Sequence, residues 1–254
     1  MYRENAIKKR MLAGEQVIGC WLHLNNAIAA EIMALAGFDA VIIDHEHGSG
    51  DFLNAISLLQ AVSATPATAI MRVPWNDPVY IKRALDIGVE GIMVPSVNSL
   101  EEARAAVAAC RYPPAGIRGA AYPLVRCADY GLEADRYVAE TKDNILVVCQ
   151  TESVAAVEAI DEIAQVEGLD MLFIGPLDLS GSMGILGQTD SAEFLAMRER
   201  AEQAIKGAGK LMGGLAVKGD TPQAMMERGY DLVTGVSDSL LIREGALAHL
   251  RSLR

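Results

Sequence analysis

Short runs of apolar, β-branched residues alternate along this chain with longer stretches whose apolar positions recur at helical spacing. The first such run, VIGCWLHL (17–24), reads as a strand and AIAAEIMALAG (27–37) as a helix closed by Gly37. DAVIID (39–44) is a strand, and the next helix (51–64) opens on Asp51, a residue whose carboxylate caps backbone N–H groups. The same alternation gives strand 67–73, a helix over 77–88 opened by Asp77-Pro78, strand 91–95, and a helix over 99–111 with a Ser-x-x-Glu capping box. The stretch 111–132 is rich in Pro and Gly and has no clean period. It is long for a connection inside a compact domain, and long ordered loops usually carry function. A short helix (133–142) follows, then strand 145–151, helix 153–165 and strand 170–175. PLDLSGSMGILGQ (176–188) reads as irregular before helix 191–208. Strand 211–217, helix 221–228, strand 231–236 and helix 237–252 complete the pattern.

Eight strands, each followed by a helix, predict a parallel sheet closed into an α/β (β/α)8 TIM barrel, with one extra helix at the N-terminus. A doubly wound open sheet is the alternative. No linker composition interrupts the chain, so residues 1–254 are expected to form a single barrel domain. Hydrophobic residues make up 51% and aromatics only 5%, so the core must be built from aliphatic side chains, which suits helices on a parallel sheet. The net charge of −11 argues against partners with phosphate backbones or anionic membranes. No apolar run reaches the ~18 residues of a membrane span, and the first residues lack a signal-peptide pattern. Four cysteines without CxxC spacing fit reduced thiols in a cytoplasmic protein.

Barrel active sites lie at the C-terminal strand ends. The polar residues there are Asp44, His45, Glu46 and His47 after the second strand, Arg72 after the third, and Gln150, Thr151 and Glu152 after the fifth. Asp178 follows the sixth, Lys218 the seventh and Ser237 the eighth. Glu152 and Asp178 form the strongest pair. Helix capping accounts for either acid alone. Two acids at adjacent strand ends also fit a hard divalent ion, which needs one or two carboxylates plus substrate and water oxygens. Arg72 suits a carboxylate or oxyanion, or an ion pair with a structural acid. His45 and His47 offer acid–base groups, with Asp44 or Glu46 able to fix a tautomer. Their spacing also evokes a zinc hydrolase, but only His23 and His249 remain as further ligands, too few at later strand ends. A Schiff-base aldolase needs a lysine at the mouth, and Lys218, read as exposed, is the sole candidate. Gly213, Gly214 and Gly235 leave open a phosphate site or simple close packing.

Taken together, FDAVIIDHEHG (38–48), RVP (72–74), GIMVPSVNSLEEA (91–103), RYPPAGIRG (111–119), CQTES (149–153) and IGPLDLSGSMGILGQ (174–188) resemble the HpcH/HpaI aldolases, metal-dependent class II pyruvate aldolases. The resemblance implies reversible cleavage of a 4-hydroxy-2-oxo acid to pyruvate, or a related 2-oxo acid, and an aldehyde. It implies a divalent ion (Mg²⁺, Mn²⁺ or Co²⁺) on Glu152 and Asp178, and Arg72 on the oxo and enolate oxygen. It implies His47 as acid–base group with Asp44 as its partner, and Gln150 near metal-bound water. The turn Gly175, Pro176, Leu177, Asp178 would receive the pyruvate carboxylate on the N–H groups of Leu177 and Asp178, and Leu215 would touch the methyl group. It also implies a homohexamer, a trimer of dimers exchanging their last helix. His23, His45 and the segment 120–131 depart from the family pattern and bear on the choice of substrate. A citrate-lyase or phosphoenolpyruvate type of oxo-acid lyase, or a non-catalytic barrel, are the competing readings.

Overall fold

The structure, a computed structural model, describes residues 2–254. Eight parallel strands close into a barrel in sequence order: β1 (Val17–Leu22), β2 (Ala40–Asp44), β3 (Thr68–Arg72), β4 (Gly91–Val94), β5 (Leu146–Thr151), β6 (Met171–Ile174), β7 (Leu211–Leu215) and β8 (Leu232–Ser237). β8 pairs back onto β1, so no sheet edge remains. The open-sheet alternative is thereby excluded.

Period-two alternation sorts each strand into two faces. Residues such as Ala40, Ile42, Ile70, Met93, Val148 and Phe173 point inward and form the barrel core. Val41, Ile43, Met71, Val94, Cys149 and Ile174 point outward, into the layer shared with the helices. The inward series continue upward as Trp21, Asp44, Arg72 and Gln150; Trp21, Arg72 and Gln150 line the floor of the mouth, with Asp44 behind them. All four cysteines are buried and free.

α1 (Ala6–Leu12) closes the opposite end. Its Ile7 and Met11 join the barrel core, and Lys8 Nζ reaches Asp170 Oδ2 at 2.8 Å. The outer ring comprises α2 (Ala27–Leu35), α3 (Phe52–Val62), α4 (Pro78–Asp86), α5 (Leu100–Cys110), α6 (Ala134–Asn144), α7 (Val154–Glu158), α8 (Ile160–Ile163), α9 (Pro176–Ser182), α10 (Ala192–Gly207), α11 (Pro222–Glu227) and α12 (Asp238–Ser252). Asp51 and Asn54 form a reciprocal capping box on α3, and Asp77 caps α4 with Pro78 in its first turn. The box expected on α5 is only half made. Ser99 accepts from the Glu102 N–H, but the Glu102 carboxylate turns to the Asn98 N–H at 2.6 Å. Helix 153–165 is broken at Ala159 into α7 and α8, and the stretch expected to be irregular after β6 contains α9.

Candidate active site

Asp44 is the central anion of the mouth. It ends β2 with no exposed side-chain surface, and Arg72 at the end of β3 grips it in two bonds, Nε to Oδ1 at 2.8 Å and Nη2 to Oδ2 at 2.7 Å. The strand register places the two residues side by side. Burial alone would push the Asp44 carboxyl up. Hydrogen bonds from His23 and Arg72, with the Arg72 charge, outweigh it and hold the group well below the usual carboxylate range. Arg72 is also stacked over Trp21, 4.4 Å from the ring centroid, and its Nη1 lies 3.0 Å from Glu46 Oε2. The guanidinium is therefore fixed on three sides before any ligand arrives.

The imidazole beside Asp44 is that of His23. Its Nε2 is 3.1 Å from Asp44 Oδ2. His47 meets Asp44 only through its backbone N–H, at 3.3 Å, while its ring is 63% exposed with Nε2 4.0 Å from Glu46 Oε1. The expected Asp44–His47 side-chain pair is thus absent from this arrangement, because β1 brings His23 into that position first. His45 turns away from the mouth, is buried, and bonds Tyr80 through Nδ1 at 2.8 Å. Lys218 is 78% exposed and paired with Asp190.

Across the mouth, Glu152 is buried. It does not cap the following helix, since Ser153 does so through its hydroxyl. The Glu152 carboxylate instead accepts from the Ser96 N–H at 2.7 Å and from Gln150 Nε2 at 2.5 Å. Burial raises its pKa to about 6, and the charges of Glu46 and Asp178 push the same way. Gly175 at the end of β6 is required by this packing: a Cβ there would sit 2.6 Å from Glu152 Oε2. Asp178 lies exposed in the first turn of α9, whose N-terminus no side chain caps.

These groups share one cavity of about 470 Å³, lined among others by His23, His47, Arg72, Gln150, Asp178 and Leu215. Sequence reasoning thus brought Arg72, Gln150, His47, Leu215 and the 175–178 turn to one place, with Asp44 and Glu152 directly behind the lining. Sequence reasoning also names Glu46 as a partner for a histidine and His23 as a departure bearing on substrate, but gives no site role to Trp21, which stacks on Arg72, or to Ser96, whose N–H donates to Glu152.

The donor set fits a hard divalent ion. Glu46, Glu152 and Asp178 repel one another, Gln150 Oε1 is a buried acceptor without a partner, and Gly175 leaves room beside Glu152. Among the described residues no group of three or more His, Cys, Asp or Glu is placed to enclose a metal, so an ion here would keep positions for water and substrate oxygens.

Comparison with known proteins agrees over nearly the whole chain. The sequence profile of the HpcH/HpaI aldolase/citrate lyase family matches residues 17–244. A 4-hydroxy-2-oxo-heptane-1,7-dioate aldolase from Salmonella dublin is 39% identical over 245 residues, covering 96% of this chain and 93% of the relative. The crystal structure of an HpcH/HpaI aldolase/citrate lyase family protein from Burkholderia cenocepacia J2315 has a TM-score of 0.92 at 35% identity, covering 98% of this chain and 99% of that one. That of an HpcH/HpaI aldolase from Desulfitobacterium hafniense DCB-2 has a TM-score of 0.89 at 32% identity, with coverages of 97% and 95%.

Proposed function

The chain belongs to the HpcH/HpaI aldolase/citrate lyase family and is an aldolase, and we propose that it splits a 4-hydroxy-2-oxo acid into pyruvate, or a close 2-oxo acid, and an aldehyde at the cavity between Arg72 and Glu152. The observation that carries this reading is the facing of two charge types across one small cavity. A guanidinium pre-fixed by Asp44 and Glu46 stands on one side, and the carboxylates Glu152 and Asp178, whose charges repel, on the other.

Glu152 and Asp178 would hold a divalent ion, with Mg²⁺, Mn²⁺ and Co²⁺ all compatible with the oxygen donors. When bound, that ion supplies Lewis-acid polarisation of the 2-oxo group. The chain's own residues do the rest. The uncapped first turn of α9 offers the N–H groups of Leu177 and Asp178 to the substrate carboxylate. Arg72 faces the oxo oxygen, where negative charge builds as the C3–C4 bond breaks, and its rigid clamp means little reorganisation is needed. Leu215 lies against C3. His47 takes the proton from the C4 hydroxyl. The O–H electron pair becomes the aldehyde C=O, and the C3–C4 pair passes into the enolate.

α12 carries an exposed apolar face, and we propose that it packs on a second copy within a homohexamer. We propose a cytoplasmic location, supported by four unpaired buried thiols. Among the described residues no helix is long and apolar enough to cross a membrane.

Dialysis against a chelator tests the reading. Cleavage of 4-hydroxy-2-oxo-heptane-1,7-dioate should disappear and return with Mg²⁺ or Mn²⁺. Full activity in the chelator, with borohydride trapping pyruvate on a lysine, would overturn it.

A further inference from the structure

His23 is the imidazole that the fold sets against Asp44 in the mouth, and nothing in the cleavage step described above uses it. It ends the inward series of β1, one layer above Trp21, and its ring is stacked on the indole at 6.2 Å with 18° between planes. Trp21 is itself pinned by Nε1–H donating to Thr234 Oγ1 at 3.0 Å. The backbone under His23 is tied down as well. The N–H groups of His23 and Leu24 donate to the two oxygens of Asp238, the first residue of α12, at 3.0 and 3.1 Å. Asn25, at φ +50°, closes the segment against the 45–50 loop, where a Cβ on Gly48 would meet the Asp44 carbonyl and the Asn25 side chain, and one on Gly50 would meet the Asn25 side chain.

The ring's chemistry follows from its partner. Asp44 is ionised, so Nε2 presents its N–H to Oδ2 and the dyad leaves Nδ1 as the atom that holds or releases a proton. The ring lines the same cavity as Arg72 and Leu215. Around the barrel, the walls run from Leu215 on β7 through Ser237 on β8 to His23 on β1. With the substrate carboxylate at α9 and its oxo oxygen toward Arg72 and Glu152, this arc is the side on which C3 lies.

We propose that His23, oriented by Asp44, is a second catalytic imidazole that protonates C3 of the enolate after cleavage and removes that proton in the reverse direction. The proposal rests on the aldolase reading above and divides the two proton transfers between two histidines. The enolate C2=C3 electron pair takes the proton from Nδ1, a C3–H bond forms, the oxygen pair returns to make the 2-oxo C=O, and the imidazole is left neutral. Solvent at the mouth returns the proton, since the His23 side chain is 35% exposed. His47, more exposed and lacking a carboxylate within hydrogen-bond distance, keeps the C4 oxygen.

His23→Gln tests this, because a Gln amide can still donate to Asp44 but cannot carry a proton between substrate and solvent. The readouts are exchange of pyruvate's methyl protons in D₂O with Mg²⁺, followed by NMR, and release of aldehyde from 4-hydroxy-2-oxo-heptane-1,7-dioate in a single turnover. Methyl exchange should slow on the order of 10²-fold or more. Aldehyde release and the pyruvate dissociation constant should stay within about threefold of the parent, since cleavage precedes C3 protonation. His23→Asn, too short to reach Asp44, should lose exchange to the same extent. Exchange at the parent rate in His23→Gln, or rescue by Gln of a defect seen with Asn, would show that the ring only holds Asp44 in place. Equal loss of exchange and aldehyde release would place His23 in substrate positioning and overturn the proposal. A parent enzyme that neither exchanges pyruvate protons nor cleaves the substrate would instead strike the aldolase reading itself.

Discussion

Arg72 and His47 sit in the same cavity but are held so differently that their removal should fail in different ways. Arg72 is clamped by Asp44, flanked by Glu46 and stacked on Trp21, whereas His47 is an exposed ring whose nearest carboxylate, Glu46, is 4.0 Å away. Arg72→Ala removes a fixed positive group that, on the proposed mechanism, faces both the oxo acid and its enolate. The loss should be about 3–4 kcal/mol of barrier, roughly 10²–10³ in kcat, with weaker pyruvate binding as well. His47→Ala should keep pyruvate binding and slow only cleavage, on the order of 10²–10⁴-fold. Steady-state kinetics with calorimetric pyruvate titration separates them, and an unchanged cleavage rate in His47→Ala would assign the C4 proton elsewhere. Much of this geometry was legible beforehand. Asp44, Arg72, Gln150 and Glu152 end or directly follow short apolar runs that read as strands, and barrel closure must gather them. The pairing of Asp44 was not legible. Which imidazole reaches it is set by the pairing of β1 with β2, whose register of Leu22 beside Ile43 runs on to His23 beside Asp44, a tertiary contact that no local pattern carries.

At the scale of elements, the eight strands and most helices follow from apolar periodicity, and the misses share a cause. α9 is only seven residues long and contains Gly181, so its helical signal is weak against the surrounding glycines, although Pro176 at its first turn is a recognised start. The break between α7 and α8 at Ala159 has no Gly or Pro to mark it. Within 111–132, a 3-10 turn over Arg126–Gly131 includes Asp129 and Tyr130 at positive φ, which is why no period is visible there. α9 matters most, because its entry is sterically constrained against Glu152 itself. Gly175→Ala would put a Cβ 2.6 Å from Glu152 Oε2 and 2.9 Å from Glu152 Cβ, so the whole side chain must move rather than only its tip. Overpacking of this kind costs about 1–3 kcal/mol. The variant should fold with a lowered melting temperature and bind Mn²⁺ at least about tenfold more weakly, roughly 1.4 kcal/mol. Unchanged Mn²⁺ affinity by calorimetry would mean that Glu152 is not a ligand.

The molecule as a whole leaves one flank unfinished. In a (β/α)8 barrel each helix covers the sheet beside its strand, and α3, α4, α5 and α10 all bury apolar residues in that layer. α12 does not. Only Asp238, at its first turn, is buried, while Leu241, Ile242, Leu247 and Leu250 remain 42–61% exposed along its length. Its neighbour α2 shows the complementary defect, with Ile28, Ile32 and Leu35 between 61% and 69% exposed. Scattered exposed leucines are ordinary, but two facing helices with uncovered apolar stripes are what an isologous interface needs, one copy's last helix lying on the other's open flank. Because Asp238 also ties the His23 backbone, such an exchange would couple assembly to the mouth of the barrel. Light scattering of the full chain should give a homohexamer. Deleting residues 241–254 retains Asp238 but removes the exchanged stripe, and should yield smaller species with a lower melting temperature and reduced turnover. Ile242→Asp, a single charge placed in the stripe, should shift assembly the same way while leaving the barrel's secondary structure intact by circular dichroism. A full chain that stays monomeric at micromolar concentration, with α12 no more resistant to proteolysis than a free helix, would leave the exposed stripe without this explanation.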